Sequence, residues 1–364
     1  MPRVRIIGLT VVLVLVLAAC GGDDGGTTTG GTTGGTTGDT TGGTTGATGS
    51  AECEQLDPIV SGHPGFPPDF IQMVTPLAVE LGYMEQECID LELIDFESGA
   101  AAFRAMAAGE LDVGLSGSVS PILAYGQGSD AVGFAASGAY VDFQVVATSD
   151  VQSCEDLAGK RVATDGPGGL VHAITEQYMA TCGLDINTDV ELIVGEPETF
   201  VAQFAQGAID ATSMHIDERI FAQQELGSDL TVLANTWEEV PLFHYTTFAT
   251  ARDVFEEKRE IWVRFTRALL RTGRWLADEA NHDEAVTVMA EISEQPEAVI
   301  EEALTTFGNR FPTSCDTMIP VESYQYLIDL QVELGNLEAS FPAEDFLDTS
   351  VCAEAEESLD AEAA

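Results

Sequence analysis

Seven short stretches of this sequence place hydroxyls, histidines and glycines where they suit non-covalent capture of a small molecule rather than bond-making. They are Ser61-Gly62-His63-Pro64-Gly65-Phe66, Ser98-Gly99, Ser116-Gly117-Ser118, Ser137-Gly138-Ala139-Tyr140, Asp165-Gly166-Pro167-Gly168-Gly169, Glu196 to Thr199, and His215-Ile216-Asp217. Each follows an apolar, strand-like run, and ligands of open α/β sheets sit beyond the carboxyl ends of strands. Ser116-Gly117-Ser118 carries the most weight. It joins a buried strand to a helix, so backbone N–H groups and hydroxyls converge, and a helix amino end favours negative charge. Plain helix capping by Ser118 is the competing reading. Gly166, Gly168 and Gly169 permit close backbone approach to a ligand, but they also serve a simple turn. His63 and His215 face a common cleft or act as ordinary hydrogen-bonded loop residues. Phe66 and Tyr140 sandwich a flat ring or belong to the core. Asp142 and Asp217 suit an amine or ring N–H, or are solvated, and Asp165 is a candidate ligand contact in its glycine loop. His244 reads as structural. No Lys or Arg falls in these loops. An anion would have to be held by amides and hydroxyls, which tilts the expectation toward an aromatic or weakly charged solute.

Motifs for chemistry are lacking. The sequence contains no G-x-S-x-G, no H-E-x-x-H and no Walker-type glycine loop. No C-x-x-C pair occurs and the histidines are scattered, so neither a metal nor a cofactor is expected.

Strand-like runs alternate with helical patterns from about 57 to 250, as in α/β units with parallel strands. Leu91 to Phe96 alternates apolar and polar residues, and helical stretches at 99–108 and 198–206 end at Gly109 and Gly207. One element occurs twice. Phe103 to Val113 and Val201 to Ala211 each read as helix, glycine stop, aspartate and small-residue strand, with Gly109–Asp112 spaced like Gly207–Asp210. A repeated unit implies two lobes of like construction. After 250 the apolar spacing becomes helical, over 253–280 and then 283–293, 296–306 and 320–334, with Pro320 at a helix start. The acidic end from Glu354 is expected to be frayed or solvated.

The first twenty residues have a basic start (Arg3, Arg5), a short apolar run (Ile6 to Leu17) and Leu17-Ala18-Ala19-Cys20. The run suits a secretory signal better than a membrane span. The tetrad resembles the bacterial lipobox, which implies that residues 1–20 are a lipoprotein signal peptide and Cys20 the lipidated first residue. Residues 21–51, almost all Gly and Thr, read as a disordered linker with a reach of roughly 30 Å. The chain has 61 acidic and 14 basic residues for a net charge of −47; loss of Arg3 and Arg5 takes it to −49. Such a surface repels nucleic acid and anionic lipid. We read it as adaptation to high salt, where at about 1 M the screening length is near 3 Å. The melting temperature should then be higher in molar salt than in dilute buffer, and equal values would count against that reading. Apart from Cys20, the cysteines number six: Cys53, Cys88, Cys154, Cys182, Cys315 and Cys352. Six allow fifteen pairings. Short loops within single substructures favour Cys53–Cys88, Cys154–Cys182 and Cys315–Cys352.

Over roughly 56–335 the chain resembles the nitrate/sulfonate/taurine and thiamine-pyrimidine-precursor group of periplasmic binding proteins. The resemblance rests on Ser98-Gly99-Ala100 through Gly109-Glu110-Leu111-Asp112-Val113-Gly114, on Ser116-Gly117-Ser118 with Pro121, and on Ala135 to Tyr140. Asp156-Leu157-Ala158-Gly159-Lys160-Arg161-Val162-Ala163 resembles the entry into the second lobe. It implies an α/β, two-lobe (type II) periplasmic-binding-protein fold with two crossover strands and a helical C-terminal tail. Val145 to Thr148 and Thr246 to Thr250 fit as the crossovers, giving lobe 1 at 56–147 plus 248–364 and lobe 2 at 149–245. It further implies a monomeric, exported, lipid-anchored component of an ABC importer, with an ABC permease and a small-molecule solute as partners, the solute being a sulfonate- or nitrate-like anion or a pyrimidine-like ring. One branch of the group is a pyridoxal-phosphate enzyme, but Lys160 and Lys258 do not suit that role. A sensory module delivering the same solute to a receptor would look the same in sequence.

Overall fold

The computed structural model describes residues 53–166, 169–226 and 230–364. The expected signal segment, the linker, Cys20 and Gly168 lie outside them. Ten strands form two five-stranded sheets of matching design. The first holds β1 (Asp57–Pro64), β2 (Ile89–Phe96), β3 (Val113–Gly117), β4 (Val132–Ala135) and β10 (Thr246–Thr250), in the order β2-β1-β3-β10-β4. The second holds β5 (Phe143–Thr148), β6 (Arg161–Thr164), β7 (Glu191–Val194), β8 (Ala211–His215) and β9 (Leu230–Asn235), in the order β7-β6-β8-β5-β9. In each sheet four strands run in one direction and one inner strand, β10 or β5, runs antiparallel to both neighbours. Helices of eight or more described residues are α1 (Gly99–Ala107), α2 (Val119–Gly126), α3 (Leu170–Thr181), α4 (Ile216–Leu226), α5 (Arg259–Ala277), α6 (His282–Ser293), α7 (Glu297–Phe307), α8 (Val321–Glu333) and α9 (Ser350–Ala363).

The repeated sequence unit performs the same task in each lobe. The Asp112 carboxylate accepts the Val60 N–H of β1 at 2.9 Å and pairs with Lys258 at 2.6 Å. The Asp210 carboxylate accepts the Arg161 N–H of β6 at 2.9 Å and pairs with the Arg161 guanidinium at 2.5 Å. Gly109 and Gly207 both take positive φ, 76° and 62°, where the chain turns from helix toward strand.

The expected crossovers are placed differently. Val145 to Thr148 is part of β5 and hydrogen-bonded between β8 and β9, and Thr246 to Thr250 is β10 between β3 and β4. The passes between sheets are 136–142 and 236–245. A buried inner strand and a buried crossover are both short apolar runs, so periodicity alone does not separate them. The passes are stitched together. Tyr140 bridges His244, the Tyr245 N–H donates to the Ala139 carbonyl at 3.1 Å, and the Ser137 and Gly138 N–H groups donate to Thr246 Oγ1.

The acidic C-terminus is helical, not frayed. α9 buries Val351, Cys352, Ala355 and Leu359. Across from it, α5 presents Arg259, Arg267, Arg271 and Arg274, which pair with Glu354, Glu356, Asp360 and Glu362. These cations offset the like-charge repulsion that the sequence suggests. The disulfides Cys53–Cys88, Cys154–Cys182 and Cys315–Cys352 are all formed, and the last ties α9 to the helical tail. No helix among the described residues is long and apolar enough to cross a membrane.

Candidate functional site

A cavity of about 390 Å³ lies where the two lobes meet, within the usual range for small-ligand sites. One wall is the β3–α2 junction, with Gly117, Ser118, Val119 and Ser120. The opposite wall is the start of α3, with Gly169, Leu170, His172, Ala173 and Glu176. Phe243 and Tyr245 of the second pass form the floor, and Gln331, Leu334 and Asn336 close the side from α8 and the turn after it. Of the residues expected from sequence, Gly117, Ser118 and Gly169 reach this wall.

Ser118 does not cap α2 with its side chain. Its hydroxyl turns inward to His244 Nδ1 at 2.9 Å and Thr247 Oγ1 at 2.7 Å, so it reinforces the junction. His244 is buried, bonded to the Met318 carbonyl, and held down to about 4 by that burial. The first N–H groups of α2 have no intrahelical acceptor, and Val119 and Ser120 of that first turn line the cavity. The Ser116 hydroxyl is fully buried, with no hydrogen-bond partner among the described residues. Gly99 lies so close that a Cβ there would stand 2.8 Å from Ser116 Cα, which fixes the identity of that glycine.

Several expected residues have other roles. Ser98 is exposed and caps α1 by accepting the Ala101 N–H at 3.2 Å. Ser137 bonds Thr246 Oγ1. Tyr140 sits in the bridge between passes. Asp165 accepts the His172 and Val171 N–H groups at 2.9 and 3.3 Å, so the amino end of α3 is already occupied by this chain's own carboxylate. Gly166 makes a turn at φ 89°, and Gly65 another at φ 81° beside the half-buried Phe66.

His63, His215 and Asp217 belong to a buried polar cluster next to the cavity, joined to it through Tyr245. Gln72 Nε2 donates to the Tyr245 hydroxyl at 3.0 Å and to Asp69 Oδ2 at 3.0 Å. His63 Nε2 lies 3.2 Å from the Gln72 carbonyl, its Nδ1 has no partner, and its ring is 4.9 Å from Phe66. Burial lowers it to about 4. His215 Nδ1 is 2.8 Å from Asp142 and Nε2 is 3.4 Å from Asp69. Burial opposes its charge, but Asp142 and Asp69 outweigh it and hold His215 well above the usual imidazole value. Asp217 accepts from Gln295 Nε2 at 2.6 Å, its other oxygen is unpartnered, and burial pushes it up to about 7. Asp69–His215 and Asp217–Gln295 span the lobes, as do Arg219–Glu302 at 2.7 Å and Tyr326–Gln177 at 2.9 Å.

Sequence reading missed Tyr245, Gln72, His172, Glu176, Gln331 and Asn336. His172 and Glu176 were accessible, because Gly169, His172 and Glu176 share one face of the helix after the glycine loop. Gln331 and Asn336 carry no local signal; only the packing of the tail brings them here.

Two mixed sheets joined by two passes, with a cavity at the junction, define a two-lobe periplasmic-binding-protein fold. The chain belongs to the NMT1/THI5 like family, whose model matches residues 68–282. Among curated proteins it is similar to the binding protein YtlA of Bacillus subtilis, at 21% identity over 73% of this chain and 80% of that protein. A second B. subtilis relative, named for binding aliphatic sulfonates, is 25% identical over 77% of this chain and 84% of its own length. Among solved structures, the aliphatic sulphonate binding protein SsuA of Escherichia coli matches with a TM-score of 0.63 at 20% identity, covering 80% of this chain and 92% of that one. The nitrate-binding protein NrtA of Synechocystis PCC 6803 matches with a TM-score of 0.67 at 14% identity, covering 84% and 89%.

Proposed function

We propose that this chain is the solute-capturing component of an ABC-type importer, exported, tethered through Cys20 to the outer face of the cell membrane, and monomeric. It takes a small molecule into the cleft between its lobes and hands it to a membrane permease, without chemical change. The observation that carries this reading is the cavity itself: both lobes and the second pass contribute to its wall, so lobe movement about the passes 136–142 and 236–245 opens and closes it. Relatives named for binding sulfonates and nitrate support the same class of task.

The test is a thermal-shift and calorimetry panel of nitrate, alkyl sulfonates, aminopyrimidines, flavins and alkylammonium ions in high salt. A ligand at 100 times its dissociation constant adds roughly 2.7 kcal/mol of stability. Ser116→Ala is expected to leave the ligand-free melting temperature unchanged, because the hydroxyl has no protein partner to lose. The same change should leave the affinity of the panel hit within about threefold, because Ser116 is fully buried behind the cavity lining rather than part of it. A panel in which no small molecule of any charge shifts the melt would sink the reading. A tenfold loss of affinity in Ser116→Ala would place that hydroxyl in the site after all.

A further inference from the structure

We infer that the cleft is built for a small organic cation, a protonated amine or quaternary ammonium on an apolar body, with the Glu176 carboxylate as its counter-charge. This rests on the solute-binding reading above and names the charge of the guest.

The argument begins with where the positive charges are. Of the twelve Lys and Arg among the described residues, ten are in ion pairs with carboxylates. The other two, Arg104 and Arg252, are exposed. None lines the cavity. Glu176 does line it, is only half-buried, and has no hydrogen bond or ion pair within the described residues. His172, one turn earlier on α3, makes no hydrogen bond or ion pair with it: its Nδ1 faces Thr164 Oγ1 at 3.2 Å.

The features that would favour an anion are weaker. The amino end of α3 already carries Asp165. The amino end of α2 supplies roughly half a positive charge, against a full negative charge on Glu176. In dilute salt the net charge of −47 also draws cations inward and turns anions away; in molar salt that long-range field is screened and the local charges of the cavity wall decide. Val119, Leu123, Leu170 and Leu334 give the guest an apolar bed, and Phe243 and Tyr245 add aromatic walls of the kind that tolerate a cation. Gln331, 2% exposed, accepts from Asn336 at its carbonyl oxygen, and its amide N–H₂ at the cavity wall has no partner among the described residues. That group is placed for an acceptor on the same guest.

The experiment is calorimetry on the intact exported protein with alkyl and aryl ammonium ions, and with sulfonates and neutral alcohols on the same carbon skeletons. At least one ammonium ion should bind at least tenfold tighter than its matched sulfonate and alcohol. Glu176→Gln should weaken that ion at least tenfold, leave the melting temperature unchanged and spare the alcohol. Preference for a sulfonate or nitrate overturns the inference while leaving solute capture intact. An ammonium ion that binds equally well to Glu176→Gln overturns it too. Silence across all three charge classes takes down both readings together.

Discussion

Gly117→Phe is expected to abolish solute binding while the protein stays folded. Gly117 ends β3 and lines the cavity, and a Cβ built on it meets nothing nearer than the Tyr245 carbonyl at 3.9 Å. Its backbone is not in the left-handed region, so a side chain is not strained there. The ring therefore occupies the space the guest would take. Affinity for whichever panel member binds should fall at least ~100-fold, about 2.7 kcal/mol. Ligand-free stability should move by no more than about 0.5 kcal/mol. Gly99→Ala is the contrasting control: its Cβ would press to 2.8 Å of Ser116 Cα, so backbone must shift and the fold itself should weaken. Full affinity retained in Gly117→Phe would place the guest elsewhere.

Asp217→Asn should stabilise the protein at alkaline pH by up to about 4 kcal/mol and do nothing in acid. The Asp217 carboxyl titrates near 7 in the folded chain against an ordinary 3.8 because burial penalises its charge. The folded state therefore holds a proton that the unfolded state has released, and stability falls as pH rises through that window. Each pH unit between about 4 and 7 costs roughly 1.4 kcal/mol. Asn keeps an oxygen for Gln295 and removes the charge, so the gain should grow from nothing near pH 4 to its full value above 7, read from denaturant melts. A pH-independent difference between the two proteins would show that the carboxylate is solvated rather than buried.

A buried carboxylate with one oxygen unpartnered is an expensive feature for a surface that is otherwise so acidic. It sits on the contact between lobes, with His215, Asp69 and Asp142 around it.

Much of this was legible from residue order. The apolar runs, the glycine stops at 109 and 207 and the repeated Gly–x–x–Asp spacing are local properties, set by backbone geometry and period, and they define the two-lobe plan. The β3–α2 junction was legible for the same reason, since a buried strand running into a helix must leave first-turn amides open. The even six cysteines with short loops pointed to the pairings found.

What the tertiary structure alone decided is how distant charges and surfaces meet. Val145 to Thr148 reads as a crossover until β8 and β9 flank it. The tail from Glu354 reads as loose until the arginines of α5 face it. Asp165 reads as a candidate ligand contact until the α3 amides close on it, and Glu176 is one acid among 61 until the cleft leaves it with no cation beside it among the described residues. Periodicity records which side of an element is wet; it holds no information about which element, a hundred residues away, will be pressed against the dry side.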